Sequence, residues 1–545
     1  MHRSRRSGNF GRAGTVLPWL SDHQGACNRR RHGNSGVSAV QIDGEHLTLE
    51  EVFRIVFEDA VAELAPAARE RMNASRAVID RIVETKTRVY GVNTGFGKLA
   101  SAQISPDEIR HLQLNLVRSH ACGVGPPLSE FATRATLALR ANALAKGFSG
   151  VRPVVAETLL AMLNRGVHPV IPSQGSVGAS GDLAPLAHLA QVAIGEGIAI
   201  FRGRRMPARA ALGEAGVAPL VLGAKEGLAL LNGTQAMLAL LALALREAEI
   251  ALDTADVAAA LSLDALRGSP VAFDRRIAKV RPHAGQAISA RNVEHLNEGS
   301  EIRESHRSPT EDPRVQDPYS LRCASQVHGA VRDSIGHIRA TLSIELNSAT
   351  DNPLVFANGE GDFGEVISGG NFHGQPLAMA ADHLAIALAI LAGISERRIE
   401  QMTNPQTSQL PAFLVRQAGL NSGFMILQVA AAALASELKA LAAPHSVDSI
   451  PTSANQEDYV SMGMGASRRL EPMLQNLRNI LAIELLAACQ GLDFLAPLKS
   501  GREALKAYEI VRSLSLPVDS DRSLAPDIEA VARLIGEGRL AALVR

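Results

Sequence analysis

The chain has 545 residues, of which 46% are hydrophobic and only 3% aromatic, and its 55 basic residues balance its 55 acidic residues. This composition is sufficient for a large buried core, and it lacks the basic surplus of a general nucleic-acid-binding protein. Abundant Ala and Leu with few aromatic residues favour helices that pack closely through small side chains.

The first 38 residues differ from the rest of the chain, because they are rich in Arg, Gly and Ser and contain Asp22 as their only acid. Their composition predicts a basic, disordered N-terminal extension, residues 1–38. An organelle presequence and a twin-arginine signal at Arg5 and Arg6 remain alternatives, although the apolar run TVLPWL is short for a signal core.

The remaining residues, 39–545, are predicted to form one body. Its N-terminal part, 39–230, contains short strand-like pieces such as AVQI and IAIF, and PLVF follows later. Residues 231–545 carry apolar side chains at helical spacing, which predicts long helices over Thr234–Arg267, Phe424–Ala443 and Ala466–Leu495. Polar residues interrupt the most apolar stretches, so we expect core helices rather than membrane spans and no membrane partner.

The cysteines predict neither a metal site nor a disulfide framework. Cys27, Cys122, Cys323 and Cys489 form no CxxC pair, and we expect each of them to be a small buried apolar residue. A reducing cytosol is the compartment that this usage favours.

Two glycine-rich loops suggest nucleotide binding at first sight. In YGVNTGFGK (90–98), Phe96 stands where a phosphate-binding loop needs Gly, and Leu99 stands where it needs a hydroxyl. The second loop, GSVGASGDLAPLAHLA (175–190), lacks both the GxGxxG spacing and a clear preceding strand. Both patterns disfavour a nucleotide-binding enzyme.

The second loop permits a different chemistry at Ala179-Ser180-Gly181. Gly181 has no side chain, so its nitrogen can approach the carbonyl of Ala179. Attack by that nitrogen with loss of two waters would produce a five-membered ring that carries an exocyclic methylene. Asp182 is predicted to cap the following helix, whose positive end would point at the ring. Taken alone, the tripeptide also fits an ordinary tight turn.

Further motifs give this tripeptide a context. With GSVGASGDLAPLAHL, the chain resembles the aromatic amino acid ammonia-lyases through YGVNTGFG, NLVRSHACGVG, AKEGLALLNGTQAM, VQDPYSLRC, TDNPLVF, VISGGNFHGQP, PHSVDSIPTSANQED and AIELLAACQGLDF. The blocks keep the family's order from about Val40 to the C-terminus. The resemblance implies a mainly α, long-helix bundle with a smaller mixed N-terminal part that holds the cofactor loop. It also implies a homotetramer whose active sites are assembled from three subunits, in the cytoplasm that the cysteine usage favours.

The resemblance further implies that Ala179, Ser180 and Gly181 cyclise autocatalytically to methylidene-imidazolone, so that neither a metal nor an external cofactor is needed. The reaction would be non-oxidative elimination of ammonia from an α-amino acid. Tyr90 matches the family's catalytic tyrosine. The other matching positions near the ring or the substrate are Asn232, Gln316, Tyr319, Arg322 and Phe372, of which Arg322 can bind the substrate carboxylate bidentately.

The substrate implied by the resemblance is L-histidine, with trans-urocanate as product in the first step of histidine degradation. Ser119 and His120, and Gln456 and Glu457, offer polar partners where the histidine-specific branch carries them, and an imidazole needs such partners. Tyr459 departs from that branch, which usually has His there. A tyrosine ammonia-lyase or aminomutase with the same self-formed cofactor therefore remains the alternative.

Overall fold

Long helices make up most of the chain between Gln235 and Asp493. The computed structural model describes residues 39–95, 104–105, 108–308, 314–358 and 364–545, which lie in the unit Ala39–Arg545. The predicted extension 1–38, Cys27 and the end of the YGVNTGFGK loop lie outside these residues.

The elements are numbered here in chain order. The helices are α1 (Leu49–Phe57), α2 (Pro66–Thr85), α3 (Ile109–His120), α4 (Glu130–Ala145), α5 (Pro153–Asn164), α6 (Leu183–Ala193), α7 (Ala208–Ala215), α8 (Glu226–Leu231), α9 (Gln235–Ala265), α10 (Arg275–Val280), α11 (Ala284–Leu296), α12 (Glu301–Glu304), α13 (Tyr319–Arg322), α14 (Ala324–Leu346), α15 (Gln375–Thr403), α16 (Pro405–Ser408), α17 (Met425–Leu441), α18 (Gly463–Arg468), α19 (Leu470–Asp493), α20 (Arg502–Arg512) and α21 (Ala525–Gly536). The strands are β1 (Val40–Ile42), β2 (Ala62–Leu64), β3 (Val124–Pro127), β4 (Val167–Pro169), β5 (Pro172–Gln174), β6 (Ile198–Phe201), β7 (Arg204–Pro207), β8 (Leu354–Phe356) and β9 (Glu365–Ile367).

Helix α9 lies at the centre of the bundle and packs against α14, α15 and α19. Ala and Leu cover nearly all of its faces, so it is buried on every side for most of its length. The predicted helix Thr234–Arg267 is confirmed as α9, and Phe424–Ala443 is confirmed as α17. The predicted segment Ala466–Leu495 is divided into α18 and α19 at Arg469.

The strands form small sheets. Strands β1 and β2 form a parallel pair. The other three sheets are antiparallel: β3 pairs with β5, β6 lies between β4 and β7, and β8 pairs with β9. The strand-like pieces AVQI, IAIF and PLVF are confirmed as β1, β6 and β8. The mainly α fold with a smaller mixed part is confirmed.

Two further expectations are settled by burial. Helix α15 is long and apolar enough to cross a membrane by length and composition alone, but 61% of its most apolar window is buried inside the protein, as in a core helix. The expectation that every cysteine is buried is wrong for Cys122, which is exposed, and only partly right for Cys323; Cys489 is buried. Cys122 lies in the irregular segment between α3 and β3.

Candidate active site

The loop between β5 and α6 holds Ala179 and Ser180 in a tight turn that a Gly178–Gly181 bridge closes. Gly178 and Gly181 both have φ +70°, a region that favours glycine. Gly181 also pairs with Gly233, and a Cβ at Gly181 would lie 2.1 Å from the Gly233 carbonyl oxygen. The turn is therefore compact, and only glycine fits at its closing position.

Asp182 anchors the end of this turn. Its backbone N–H donates to the Gly233 carbonyl at 2.7 Å, and its carboxylate accepts from the N–H of Met237 at 2.7 Å and from the Ser176 hydroxyl at 3.3 Å. Burial raises the pKa of this fully buried carboxyl to about 7, although these hydrogen bonds oppose the shift.

The prediction that the Asp182 side chain caps the following helix is wrong. Asp182 is the residue before α6, but its side chain makes no capping bond to α6. Its Oδ2 atom instead accepts a hydrogen bond from the backbone N–H of Met237, the third residue of α9. The N-termini of α6 and α9 thus meet at the turn, and their dipoles favour negative charge there.

The opposite side of the turn is covered by the segment that follows Glu457. The Ser461 hydroxyl donates to the Gly178 carbonyl at 3.1 Å, and the N–H of Met462 donates to the Val177 carbonyl at 2.8 Å. A Cβ at Gly178 would lie 2.2 Å from the Ser461 oxygen. This packing places the predicted motif around Glu457 directly on the ASG turn.

Ser180 and Glu457, 277 positions apart in the chain, form a direct hydrogen bond. The Ser180 hydroxyl donates to Glu457 Oε1 at 3.0 Å. The second carboxylate oxygen, Oε2, accepts from the Thr452 hydroxyl at 2.7 Å. The structure thus brings together the predicted electrophile precursor and the predicted acidic partner.

His120 ends α3 with Ser119 beside it. His120 Nδ1 lies 2.9 Å from the Leu116 carbonyl and 3.0 Å from the Ser119 hydroxyl. A carbonyl only accepts, so Nδ1 carries the proton and Nε2 is an acceptor in the neutral ring. Burial lowers the pKa of His120, and the Leu116 hydrogen bond and the charge of Glu457 oppose that shift. His120 therefore favours its neutral form and offers a lone pair.

Asn232 follows α8 and is buried. Its Nδ2 donates to the Asn352 carbonyl at 3.1 Å, whereas Oδ1 has no hydrogen-bond partner among the described residues. Since an unpaired buried acceptor is costly, this oxygen is suited to a ligand donor.

Tyr90 lies half-buried in a turn beside α8. The next residue, Gly91, has φ +76°, and a Cβ there would lie 2.8 Å from Leu228 and 2.9 Å from Pro353. The Tyr90 turn therefore packs against the helix that leads to Asn232.

A second group of predicted residues forms its own exposed cluster at α13. The guanidinium of Arg322 lies 4.6 Å from the centre of the Tyr319 ring, and its Nε donates to the Asp317 carbonyl at 3.1 Å. Tyr319 is 70% exposed, and Gln316 is exposed as well. Among the described residues, no hydrogen bond joins this cluster to Ser180 or Glu457 of the same chain.

Phe372 is half-buried in the turn before α15, and Gln456 is exposed. The adjacent His373 stacks on Tyr459, with ring centres 6.2 Å apart at 17°, and its Nε2 lies 3.3 Å from the Tyr459 carbonyl. The ring of Tyr459, the residue that departs from the histidine-specific pattern, thus lies against His373.

Thr452, Ser461 and Gly233 were not singled out from the sequence. The first two lie within or beside the PHSVDSIPTSANQED motif and Gly233 lies in LLNGTQ, so their motifs were visible but their contacts were not. The described residues contain no group of three or more His, Cys, Asp or Glu side chains that could hold a metal ion.

The fold and this site define an aromatic amino acid lyase, and the model of that family matches residues 47–513. The chain belongs to this family, which confirms the predicted resemblance. The histidine ammonia-lyase of Koribacter versatilis (strain Ellin345) is 55% identical, over 93% of this chain and 100% of the relative. That of Myxococcus xanthus (strain DK1622) is 54% identical, over 93% and 98%.

Solved structures show the same relationship. Histidine ammonia-lyase from Trypanosoma cruzi has a TM-score of 0.86 at 45% identity, covering 93% of this chain and 95% of that one. Tyrosine aminomutase from Streptomyces globisporus has a TM-score of 0.88 at 40% identity, covering 93% and 98%.

Proposed function

We propose that this protein is a histidine ammonia-lyase that eliminates ammonia from L-histidine and releases trans-urocanate. The observation that carries the proposal is the hydrogen bond that Ser180, in the closed ASG turn, donates to Glu457. The relatives of 54% and 55% identity that are named histidine ammonia-lyases support the choice of substrate.

The cofactor we propose is methylidene-imidazolone, formed from Ala179, Ser180 and Gly181. The turn fits this group because Gly178 and Gly181 already close it and the space at Gly181 is filled by the Gly233 carbonyl. When formed, the ring supplies an electrophilic methylene where Ser180 stands. The proposal requires neither a metal nor an external cofactor.

The side chains around the turn are suited to an imidazole-bearing amino acid. His120 Nε2 can accept the single N–H of a neutral substrate imidazole, and Glu457 can accept the second N–H when that ring is protonated. We expect Ser119 and Gln456 to complete the polar side of the site. Asn232 Oδ1 offers a buried acceptor to a donor group of the substrate. Tyr90 is the proposed base that removes the β-carbon proton of the substrate.

The remaining groups are proposed to come from neighbouring subunits of a cytoplasmic homotetramer. Arg322 would bind the substrate carboxylate, Gln316 would contact the substrate, and Tyr319 would be a catalytic residue close to the ring. Phe372 would pack beside the cofactor. Exposed apolar side chains on α15 and α17 support assembly, because a monomer would leave them in water; they are Met379, Ile386, Ile390, Met425, Ile426 and Val429.

A tyrosine aminomutase or ammonia-lyase is the second candidate, favoured by the 40% identity to a tyrosine aminomutase and by Tyr459. The deciding experiment follows absorbance with purified protein and either L-histidine or L-tyrosine. We expect urocanate from histidine, no coumarate from tyrosine, and an intact mass two waters below that of the encoded chain.

The control is Ser180→Ala, which keeps the turn but removes the leaving hydroxyl, and we expect it to form no urocanate. Coumarate or β-tyrosine in place of urocanate would transfer the assignment to the second candidate. A wild-type chain that retains both waters would refute the proposed cofactor.

A further inference from the structure

Beyond the residues assigned so far, we propose that Thr452 is a positioning residue that fixes the carboxylate of Glu457 toward the reacting position at Ser180. This inference rests on the proposed function. Thr452 itself does not contact the substrate in this proposal. It sets the orientation of the Glu457 carboxylate that faces the substrate.

The two carboxylate oxygens of Glu457 have different hydrogen-bond partners. Oε2 accepts from the Thr452 hydroxyl at 2.7 Å, and Oε1 accepts from the Ser180 hydroxyl at 3.0 Å. The terminal torsion of a Glu side chain has broad, roughly two-fold minima and does not hold one orientation alone. A donor on Oε2 selects the rotation that directs Oε1 at position 180.

The Thr452 hydroxyl is not needed to close the turn between Thr452 and Glu457. The N–H of Thr452 donates to the Glu457 carbonyl at 2.9 Å, and the N–H of Glu457 donates to the Thr452 carbonyl at 3.3 Å. This backbone pair joins the ends of the turn directly. The side-chain hydroxyl therefore remains available for the carboxylate.

The backbone between Thr452 and Glu457 is strained. Ser453, Ala454 and Asn455 have φ values of +50°, +52° and +63°, a left-handed run of three residues that have a side chain. Such strain persists only where surrounding contacts over-determine the conformation, and it is concentrated at functional sites. Here its effect is to bring Thr452 beside Glu457.

The test compares Thr452→Val, which keeps the shape and loses the hydroxyl, with Thr452→Ser, which keeps the hydroxyl. For L-histidine we expect kcat/KM to fall roughly 10- to 100-fold in the Val variant, the range for a hydrogen bond to a charged group. The Ser variant should stay within about threefold of wild type. Intact mass should show the same loss of two waters in all three proteins.

A Thr452→Val variant with the kcat/KM of the wild type would overturn the inference. Equal losses of kcat/KM in both variants would overturn it as well, since they would indicate a steric role.

A second measurement does not depend on activity. In a crystal structure of Thr452→Val, we expect Glu457 to lose its single orientation while residues 453–456 keep theirs, and an unmoved Glu457 would refute the proposal. Wild-type protein that acts on tyrosine and not on histidine would refute the proposed function alone, and the variants would then be compared on tyrosine.

Discussion

Asp182 links the ASG turn to the longest helix of the bundle through one buried carboxylate. Its Oδ2 atom accepts from the N–H of Met237 in the first turn of α9. Its own N–H donates to the Gly233 carbonyl, which lies against Gly181. Two helix N-termini favour the charged form there, but complete burial outweighs them and raises the pKa to about 7. The cost of burying this charge gives stability a predictable dependence on pH.

We predict that the free energy of unfolding of the wild-type protein falls, relative to that of Asp182→Asn, as pH rises from about 4 to about 7. The folded-state pKa is about 7 and the ordinary value is 3.8, so in this window the folded protein holds a proton that the unfolded chain has released. The stabilisation from this proton is fully present below the ordinary pKa and is lost as pH rises through the folded-state pKa. The free energy of unfolding falls by about 4 kcal/mol at most.

Denaturant unfolding of both proteins between pH 4.5 and 8.5 measures this difference. The Asn variant keeps an oxygen that can accept from Met237 but cannot ionise, so it is the matched control. A constant difference in the free energy of unfolding across this range would contradict the raised pKa. The absorbance and intact mass of each protein would show separately whether the cofactor forms.

At the scale of elements, the helices follow from apolar spacing, whereas one close crossing depends on glycine. Helices α11 and α14 meet at Gly285 and Gly329, and a Cβ at Gly329 would lie 2.4 Å from backbone atoms of Gln286. Backbone cannot give way as a flexible side chain can. The two glycines thus allow a contact that the sequence pattern did not predict.

We expect Gly329→Ala to destabilise the protein by about 1–3 kcal/mol, because the added methyl forces the two helices apart. Gly213→Ala is the control, since Gly213 lies in helix α7 with no atom within 4 Å of the added Cβ. That change should be neutral or stabilising by up to about 1 kcal/mol through helix propensity. Thermal unfolding of both variants decides the matter, and equal effects would show that the crossing is not tight.

At the scale of the whole molecule, the candidate site is divided into separate groups within one chain. Ser180 and Glu457 are in contact with each other, while Arg322 contacts Tyr319 and Asp317 at an exposed surface. Helices α15 and α17 expose apolar side chains that are suited to subunit contacts, and the proposed homotetramer would bring such groups from different chains together.

We predict that Ser180→Ala and Arg322→Met, each inactive alone, restore activity when co-expressed in one assembly. If a site takes these residues from different chains, random mixing gives about a quarter of the wild-type activity. Urocanate formation by the co-purified hybrid is the measurement, and the two variants mixed after separate purification serve as the control. A hybrid as inactive as its parents would place both residues of a site on one chain.

The ASG tripeptide and the family motifs can be read directly in the sequence, and the residues alone predict the mainly α class and the long helices. Apolar periodicity and glycine spacing are local properties, so α9, α17 and the glycine turn could be recognised before any packing was known. Asp182 could likewise be placed before a helix, since small polar residues at that position are a local signal.

Contacts between distant residues required the tertiary structure. It alone shows that Asp182 caps α9 instead of α6, that Thr452 and Ser180 share Glu457, and that Tyr459 stacks on His373. It also shows Cys122 exposed, against expectation. The physical reason is that hydrogen-bond partners and burial depend on how helices far apart in the chain pack together, and no local pattern carries that information.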